Sequence, residues 1–302
     1  MLNPPDPAIA RRALKDGLAA GRGFRFVGAF SPLVARLVEE IGFEGVYVGS
    51  STMSADLALP DIGLISLSEA TGRGREIVRA TALPCLLDAD TGYGEAVNVA
   101  RSVVELEAAG LAAMQIEDQV NPKRCGHLDN KQVIETRAMA EKLRAAVAAR
   151  RDANFLIVAR TDARGVEGLQ AAIARGNAYR DAGADAVFPD ALQDEAEFAA
   201  FRRGVAGPLV ANMTEFGRSR LLDHATLVRL GYQIVLYPVT TLRLAMRAVE
   251  DGLRALHQAG TQSGLLDRMQ TRARLYELIR YEAYGRFDKA VADFTLPPER
   301  LG

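Results

Sequence analysis

The chain repeats one pattern between residues 24 and 236, in which a short apolar run is followed by a longer amphipathic stretch. The runs have the length of strands, and apolar residues recur at helical spacing in the stretches between them. Strand–helix alternation predicts parallel strands, because a tight hairpin joins only antiparallel neighbours. The predicted strands cover residues 24–30, 45–48, 84–87, 112–116, 155–158, 186–188, 208–210 and 233–236.

Eight such units predict an α/β fold, a (β/α)8 barrel of the TIM type. Gly110, Gly183 and Gly231 each come shortly before a predicted strand and suit the left-handed residue that ends a helix. An open doubly wound sheet is the alternative, but no predicted strand is followed by its GxGxxG fingerprint. We expect one barrel domain over residues 1–302, with about 252–302 as a C-terminal helical extension.

Composition limits the partners of this chain. A formal net charge of -1 gives no overall field that would attract nucleic acid or an anionic membrane, so an acidic substrate must be held by local charges. No run approaches the roughly 18 apolar residues of a membrane span, and residues 1–17 lack the apolar stretch of a signal peptide. Two cysteines make no disulfide framework. We expect a cytoplasmic protein with a small-molecule substrate.

Carboxylates follow several predicted strands. Asp88 and Asp90 follow the third and Glu117 the fourth, while Asp61 lies in the loop after the second. In a parallel barrel these strand ends meet at one face, and so many negative charges there require a cation. Any one acid could equally be a loop or helix cap, but together they predict a metal site. All-oxygen ligation suits Mg²⁺, or Mn²⁺, better than zinc.

The segment 123–127, KRCGH, predicts an acid–base centre. Two cations and an imidazole around Cys125 should lower the pKa of its thiol. Gly126 would let backbone amides approach an anionic ligand. Cys85 lies inside an apolar strand, and we interpret it as an inert core residue.

Three arginines could bind the carboxylates of such a substrate. Guanidinium groups bind carboxylates through two parallel hydrogen bonds, which suits Arg160, Arg243 and Arg272 to this role. Each of them alone is more often a surface ion-pair partner. Arg160 differs because it directly follows the apolar run LIVA, so we expect it at the mouth of the barrel.

These residues carry a family resemblance over about residues 28–294. The chain resembles the isocitrate lyase/phosphoenolpyruvate mutase superfamily, and within it the isocitrate and 2-methylisocitrate lyases. The cysteine loop is specific to the lyases, because the mutases and related decarboxylases lack it. The motifs are DADTGYG (88–94), IEDQ (116–119), KRCGH (123–127), ARTDA (159–163), NMTEFG (212–217) and MQTR (269–272).

The resemblance implies a Mg²⁺-dependent lyase that cleaves 2-methylisocitrate to pyruvate and succinate. It implies metal binding by Asp90, with Asp88, Asp61 and Glu117 acting largely through water, and proton delivery by Cys125. Tyr47 or a coordinated carboxylate would take the hydroxyl proton. The other implied catalytic residues are Lys123, Arg124 and His127. The implied substrate-binding residues are Gly49, Ser50, Ser51, Gly126, Arg160, Phe188, Asp190, Asn212, Met213, Thr214, Leu236, Pro238, Arg243 and Arg272.

Within that set, Phe188, Leu236 and Pro238 match the positions of an apolar pocket for the substrate's extra methyl group. Two features depart from the 2-methylisocitrate lyase pattern. The loop 49–61 is one residue shorter and has serines in place of glycines, and Asp190 replaces a glutamate.

Several alternatives therefore stay open: a dimethylmalate lyase, an isocitrate lyase, an oxaloacetate hydrolase, a phosphonomutase or a non-catalytic barrel. The resemblance also implies a homotetramer, built as a dimer of dimers, in which the eighth helix is exchanged between subunits.

Overall fold

The computed structural model describes residues 5–124, 126 and 130–293, and eight parallel strands form its centre. They are paired in the order β6-β5-β4-β3-β2-β1-β8-β7, and a parallel bridge between Val187 and Leu209 joins the two edges. This nearly closed barrel confirms the predicted fold and excludes the open sheet. The strands are β1 (Phe24–Gly28), β2 (Gly45–Val48), β3 (Cys85–Asp88), β4 (Ala113–Glu117), β5 (Leu156–Thr161), β6 (Ala186–Pro189), β7 (Val210–Asn212) and β8 (Ile234–Tyr237).

Helices connect the strands, and local sequence sets their ends. Ser66 and Glu69 cap each other at one helix start, and Gly110, Gly183 and Gly231 have the predicted positive φ angles of +94°, +103° and +90°. The helices are α1 (Pro7–Ala19), α2 (Pro32–Ile41), α3 (Ser50–Asp56), α4 (Leu67–Val78), α5 (Ala96–Ala108), α6 (Thr136–Ala149), α7 (Leu169–Asp181), α8 (Glu195–Gly204), α9 (His224–Arg229), α10 (Thr240–Ala259), α11 (Arg272–Leu278) and α12 (Tyr281–Ala292).

Side chains fill the barrel interior, so it is a packed core. Phe26, Leu86 and Val158 are fully buried there, and Leu14 of α1 belongs to the same cluster. At Gly45 an added Cβ would lie 2.5 Å from the Phe26 ring, so the ring occupies the space of a side chain there. With the interior filled, a substrate site has room only at the mouth of the barrel, where the loops after each strand gather.

Two compact units divide the chain. Residues 5–246 contain the barrel, and the chain from Arg247 onward contains the end of α10, α11 and α12. The C-terminal helical extension is thus confirmed, while its assignment to one domain with the barrel stays a prediction. Within the described ranges, no helix has the length and hydropathy that a bilayer span requires.

Candidate active site

A cavity of about 110 Å³ lies at the carboxyl ends of the strands. Its lining brings together residues of seven of the eight strands, β2 to β8, or of the loops that follow them. Val239 is a member of the lining that the sequence did not indicate. The predicted residues that line it are Tyr47, Ser50, Ser51, Asp61, Asp88, Lys123, Arg124, Gly126, Arg160, Phe188, Asp190, Asn212, Thr214, Leu236, Pro238 and Arg243.

Asp88 and Asp90 form the acidic part of the site, and both are buried. Asp88 ends β3, and its Oδ2 accepts hydrogen bonds from the Tyr47 hydroxyl at 3.0 Å and the Ser50 hydroxyl at 3.1 Å. Asp90 has a left-handed backbone with φ +48°, a conformation that aspartate tolerates better than most residues. Burial and neighbouring acids, Asp88 among them, raise the pKa of Asp90 to about 6, although the ammonium of Lys123 opposes the shift.

Lys123 is buried and places its ammonium among these acids. Its Nζ forms an ion pair with Asp61, donates to the Ser50 hydroxyl at 3.2 Å, and lies 2.9 Å from Asp90 Oδ1. The contact with Asp90 is an ion pair, and no other group of the described residues donates a hydrogen bond to that Asp90 oxygen. Burial alone would lower the pKa of Lys123, but the carboxylates, Glu117 first, raise it above its ordinary value. Lys123 is therefore a fixed cation.

Glu117 ends β4 and is 1% exposed. Its Oε2 lies 3.3 Å from Arg160 Nε, whereas its Oε1 is buried without a hydrogen-bond partner among the described residues. Burial raises the pKa of Glu117 well above its ordinary value, and the positive charge of Arg160 only partly offsets this. An unpartnered buried carboxylate oxygen is costly, so it indicates a missing cation or ordered water.

This acidic group fits Mg²⁺ by its donor chemistry. Carboxylate and hydroxyl oxygens are the ligands that Mg²⁺ prefers, and the ion usually keeps several of its waters. Among the described residues, no three acidic, histidine or cysteine side chains already converge at ligand distance. Direct binding of the ion by one carboxylate, with the others acting through water, stays a prediction.

Arg160, in β5, is the buried cation on the other side of the site. Its Nε donates to Asp162 Oδ2 at 2.9 Å, and its Nη2 donates to Asp190 Oδ2 at 2.8 Å. Its guanidinium also lies 5.2 Å from the centre of the Phe188 ring. These contacts fix the direction of the guanidinium, which meets the requirement for binding a carboxylate in one orientation.

Asp190 has a second role. Its Oδ1 accepts a hydrogen bond from Asn212 Nδ2 at 3.1 Å, so one carboxylate connects the end of β6 to the end of β7. On the same side of the cavity, Arg243 stacks on Phe216 at 5.0 Å and lies 3.6 Å from Glu215.

The segment after β4 reaches into the site at Gly126. A Cβ on this residue would lie 1.6 Å from Asp190 Oδ2 and 2.2 Å from Arg160 Nη2. Only glycine therefore fits, for a steric reason that the sequence pattern did not provide. Gln119 holds the preceding backbone, since its side chain exchanges two hydrogen bonds with Arg124 at 2.8 and 2.9 Å.

Cys125 and His127 lie outside the described residues, so their predicted roles stay predictions. The other cysteine, Cys85, is buried, and burial raises the pKa of its thiol to about 12, which confirms it as an inert core residue.

Several predicted residues lie outside the cavity lining, and two of them, Asp90 and Glu117, contact the lining residues Lys123 and Arg160. Met213 is buried in the layer between strands and helices, where its sulfur accepts the Leu222 amide hydrogen at 3.3 Å. Gly49 caps the start of α3, and an added Cβ would lie 2.9 Å from the Tyr47 ring. Arg272 begins α11, in the second unit, so its role in the site stays a prediction.

Two buried residues that sequence reasoning did not assign to the site are Asp162 and Lys131. Asp162 follows β5 within the motif ARTDA, so its place after a strand was a usable signal. Lys131 lies in a polar segment, and no periodicity or motif distinguishes it there.

Comparison with known proteins identifies the family. The model for phosphoenolpyruvate phosphomutase matches residues 14–257. A probable 2-methylisocitrate lyase of Corynebacterium glutamicum is 56% identical over 96% of this chain and 95% of its own. A 2,3-dimethylmalate lyase of Eubacterium barkeri is 40% identical over 84% and 89%. The structure of a phosphonopyruvate hydrolase complex with oxalate and Mg²⁺ has a TM-score of 0.84 at 31% identity, covering 94% and 99%.

The chain thus belongs to the phosphoenolpyruvate mutase/isocitrate lyase superfamily.

The ion pairs of Asp162 generate a stability prediction. Replacing Asp162 by alanine should lower the free energy of unfolding by about 3–5 kcal/mol, because Arg160 loses a buried partner and Lys131 loses its ion-pair partner. Urea unfolding followed by circular dichroism measures this loss.

The control is Asp251→Ala, which removes an exposed ion pair with Arg247 and should change stability by less than about 1 kcal/mol. Equal losses in the two variants would contradict this electrostatic interpretation of the site.

Proposed function

We propose that the protein is a Mg²⁺-dependent carbon–carbon lyase that cleaves 2-methylisocitrate to pyruvate and succinate. One observation carries the proposal: Asp61, Asp88 and Lys123, which belong to the acidic group, line the same cavity as the oriented guanidinium of Arg160. The first element suits activation of a hydroxyl, and the second suits a carboxylate. The 56% identity to a probable 2-methylisocitrate lyase, over nearly the whole chain, supports the same reaction.

Substrate binding in this proposal uses both ends of the cavity. Ser50, Ser51 and Arg160 bind the carboxylate of the half that becomes pyruvate. Gly126, Asn212, Thr214, Arg243 and Arg272 bind the half that becomes succinate. All but Arg272 lie in the cavity lining. Asp190 supports both halves because it holds Arg160 and Asn212 at once.

The reaction breaks the bond between the hydroxyl-bearing carbon and its neighbour. A bound Mg²⁺, held by Asp90 directly and by Asp88, Asp61 and Glu117 through water, would lower the pKa of the substrate hydroxyl. As the hydroxyl loses its proton and becomes a carbonyl, the electron pair of the broken bond passes to the carbon beside the succinyl carboxylate. Asn212, Thr214 and Arg243, which bind the succinyl half, provide hydrogen bonds and positive charge to this developing dianion. Cys125 then donates the proton that completes succinate.

Tyr47 fits the role of hydrogen-bond donor better than that of base. Its hydroxyl donates to Asp88, and burial, followed by the charge of Asp88, raises the pKa of Tyr47 well above its ordinary value. A tyrosine that keeps its proton can orient the carboxylate but does not take a proton from the substrate. In our proposal a carboxylate of the acidic group accepts the hydroxyl proton.

The choice of substrate depends on an apolar part of the cavity. Phe188, Leu236 and Pro238 line it together, and Val239 adds to the same apolar surface. A methyl group bound there contributes about 1–3 kcal/mol to discrimination, which favours a methylated substrate over isocitrate. A 2,3-dimethylmalate lyase activity is the second candidate, supported by the 40% identical relative and by the departures at 49–61 and Asp190.

The proposed assembly is a homotetramer with an exchanged eighth helix. No residue of α10 is buried, and its exposed apolar side chains recur at the spacing of a helix-packing face. Such a face supports contact with another subunit. Its exposed apolar residues are Leu244, Met246, Val249, Leu253 and Leu256. A cytoplasmic location stays a prediction.

The proposed reaction predicts fast pyruvate release from 2-methylisocitrate, abolished by EDTA and restored by Mg²⁺. A coupled lactate dehydrogenase assay measures pyruvate from 2-methylisocitrate and from 2,3-dimethylmalate, while cleavage of isocitrate is measured as glyoxylate and hydrolysis of oxaloacetate as oxalate. Turnover of 2,3-dimethylmalate alone would transfer the assignment to the second candidate. Turnover of 2-methylisocitrate that survives EDTA would contradict the metal's role.

The proposed acid gives a second prediction. Cys125→Ser should reduce kcat by at least about 100-fold, because an alcohol is a much weaker acid than an activated thiol. Cys85→Ser is the control for loss of a thiol outside the site, and its kcat should stay near the wild-type value. A Cys125→Ser enzyme with nearly normal turnover would remove Cys125 from the mechanism.

A further inference from the structure

Lys131 is a buried lysine that the proposed mechanism does not use. Its side chain is 3% exposed, in a segment that follows the cysteine loop in sequence. Desolvating an ammonium is costly, so a buried lysine needs partners that compensate it. Lys131 has two among the residues that the structure describes: its Nζ donates to the Gly126 carbonyl oxygen and, at 2.8 Å, to Asp162 Oδ1.

Both partners belong to the site. Gly126 fits against the ion pair between Arg160 and Asp190, where even a Cβ would overlap their atoms. Asp162 is the carboxylate that fixes the Nε of Arg160. The ammonium of Lys131 therefore connects the backbone of the cysteine segment to the side chain that orients the arginine.

Asp162 is itself held in place by hydrogen bonds that involve Asp118. Its backbone N–H donates to Asp118 Oδ1 at 2.9 Å. The other oxygen of Asp118 accepts hydrogen bonds from Thr161 at 2.8 Å and from Tyr179 at 2.7 Å. Asp118 and Asp162 are both fully buried. Through Asp162, the position of Lys131 is therefore fixed relative to the end of β5.

The segment between β4 and α6 is held by several separate hydrogen bonds. Where it leaves β4 and returns toward α6, the Val120 N–H donates to the Gln132 carbonyl at 2.9 Å and the Ile134 N–H donates to the Asp118 carbonyl at 2.8 Å. Gln119 holds Arg124. Among the hydrogen bonds of the described residues, the one from Lys131 holds the Gly126 carbonyl.

We propose that Lys131 is a positioning residue for catalysis, which holds Gly126 against the Arg160–Asp190 pair by tying its carbonyl to Asp162. Gly126 directly follows Cys125 in the chain, so this tie also fixes one end of the backbone that carries the proposed acid. The catalytic part of this inference rests on the proposed function. The contacts of Lys131 with Gly126 and Asp162 do not depend on the identity of the substrate.

The test compares Lys131→Met with Arg150→Met. Arg150 is a matched control because it also donates to one carbonyl, of Phe155, and one carboxylate, of Asp185, and it is not part of the cavity lining. Lys131→Met should lower kcat about 100-fold and raise KM as well, because Gly126 and Arg160, which it positions, bind both the substrate and its transition state. Arg150→Met should lose stability without losing kcat.

The kcat of Lys131→Arg should be at least about tenfold higher than that of Lys131→Met, since a guanidinium can reach a carbonyl and a carboxylate together. Hydrogen exchange supplies a readout that needs no substrate. The peptide covering 119–126 should exchange faster in Lys131→Met than in the wild-type protein, and at the wild-type rate in Arg150→Met.

Three outcomes would overturn the proposal: a Lys131→Met kcat within twofold of wild type, no recovery in Lys131→Arg, or unchanged exchange in Lys131→Met. If the wild-type protein releases no pyruvate from any acid tested, the proposed function fails instead, and the exchange comparison alone decides the role of Lys131.

Discussion

The concentration of buried carboxylates at one end of the barrel is the constraint on which the rest of the site depends. Asp88 and Glu117 end the neighbouring strands β3 and β4, and Asp90 follows β3 by two residues, so the parallel fold brings their charges together. Carboxylates that lie close together in a buried site favour each other's neutral form, and they oppose folding unless cations compensate them. Lys123 and Arg160 provide that compensation from opposite sides, but no hydrogen-bond donor among the described residues reaches Oε1 of Glu117.

The same constraint explains how the surrounding chain is arranged. Each cation must be held in place, since a mobile ammonium or guanidinium would leave the acids uncompensated. Arg160 is held by Asp162 and Asp190, and Asp162 is held by Asp118. Gly126 has no Cβ because that network leaves no space for one. The site is therefore one continuous set of ion pairs and hydrogen bonds from β3 to β7.

Much of the fold could be predicted from the sequence because its signals are local. The apolar runs matched all eight strands within a few residues, and three glycines marked helix ends through their need for positive φ. The acids after β3 and β4 could be assigned to one face because a parallel barrel places all its strand ends there.

What the sequence could not provide depends on contacts between distant residues. Lys131 and Asp162 are 31 positions apart, and no pattern along the chain connects them. The steric reason for Gly126 lies in Asp190, a residue from another strand. Met213 directly follows β7, between the lining residues Asn212 and Thr214, yet it faces the outer layer, because successive residues of an extended chain point to opposite sides.

The most direct test of this account is a calorimetric titration of Mg²⁺ into the wild-type protein and into Asp90→Asn. If the carboxylates at the strand ends are arranged for a divalent cation, the wild-type protein should bind one Mg²⁺ per chain, and Asp90→Asn should lose most of that affinity. Mg²⁺ binding that is absent in the wild type, or unchanged in Asp90→Asn, would contradict the claim that this acidic group is a metal site.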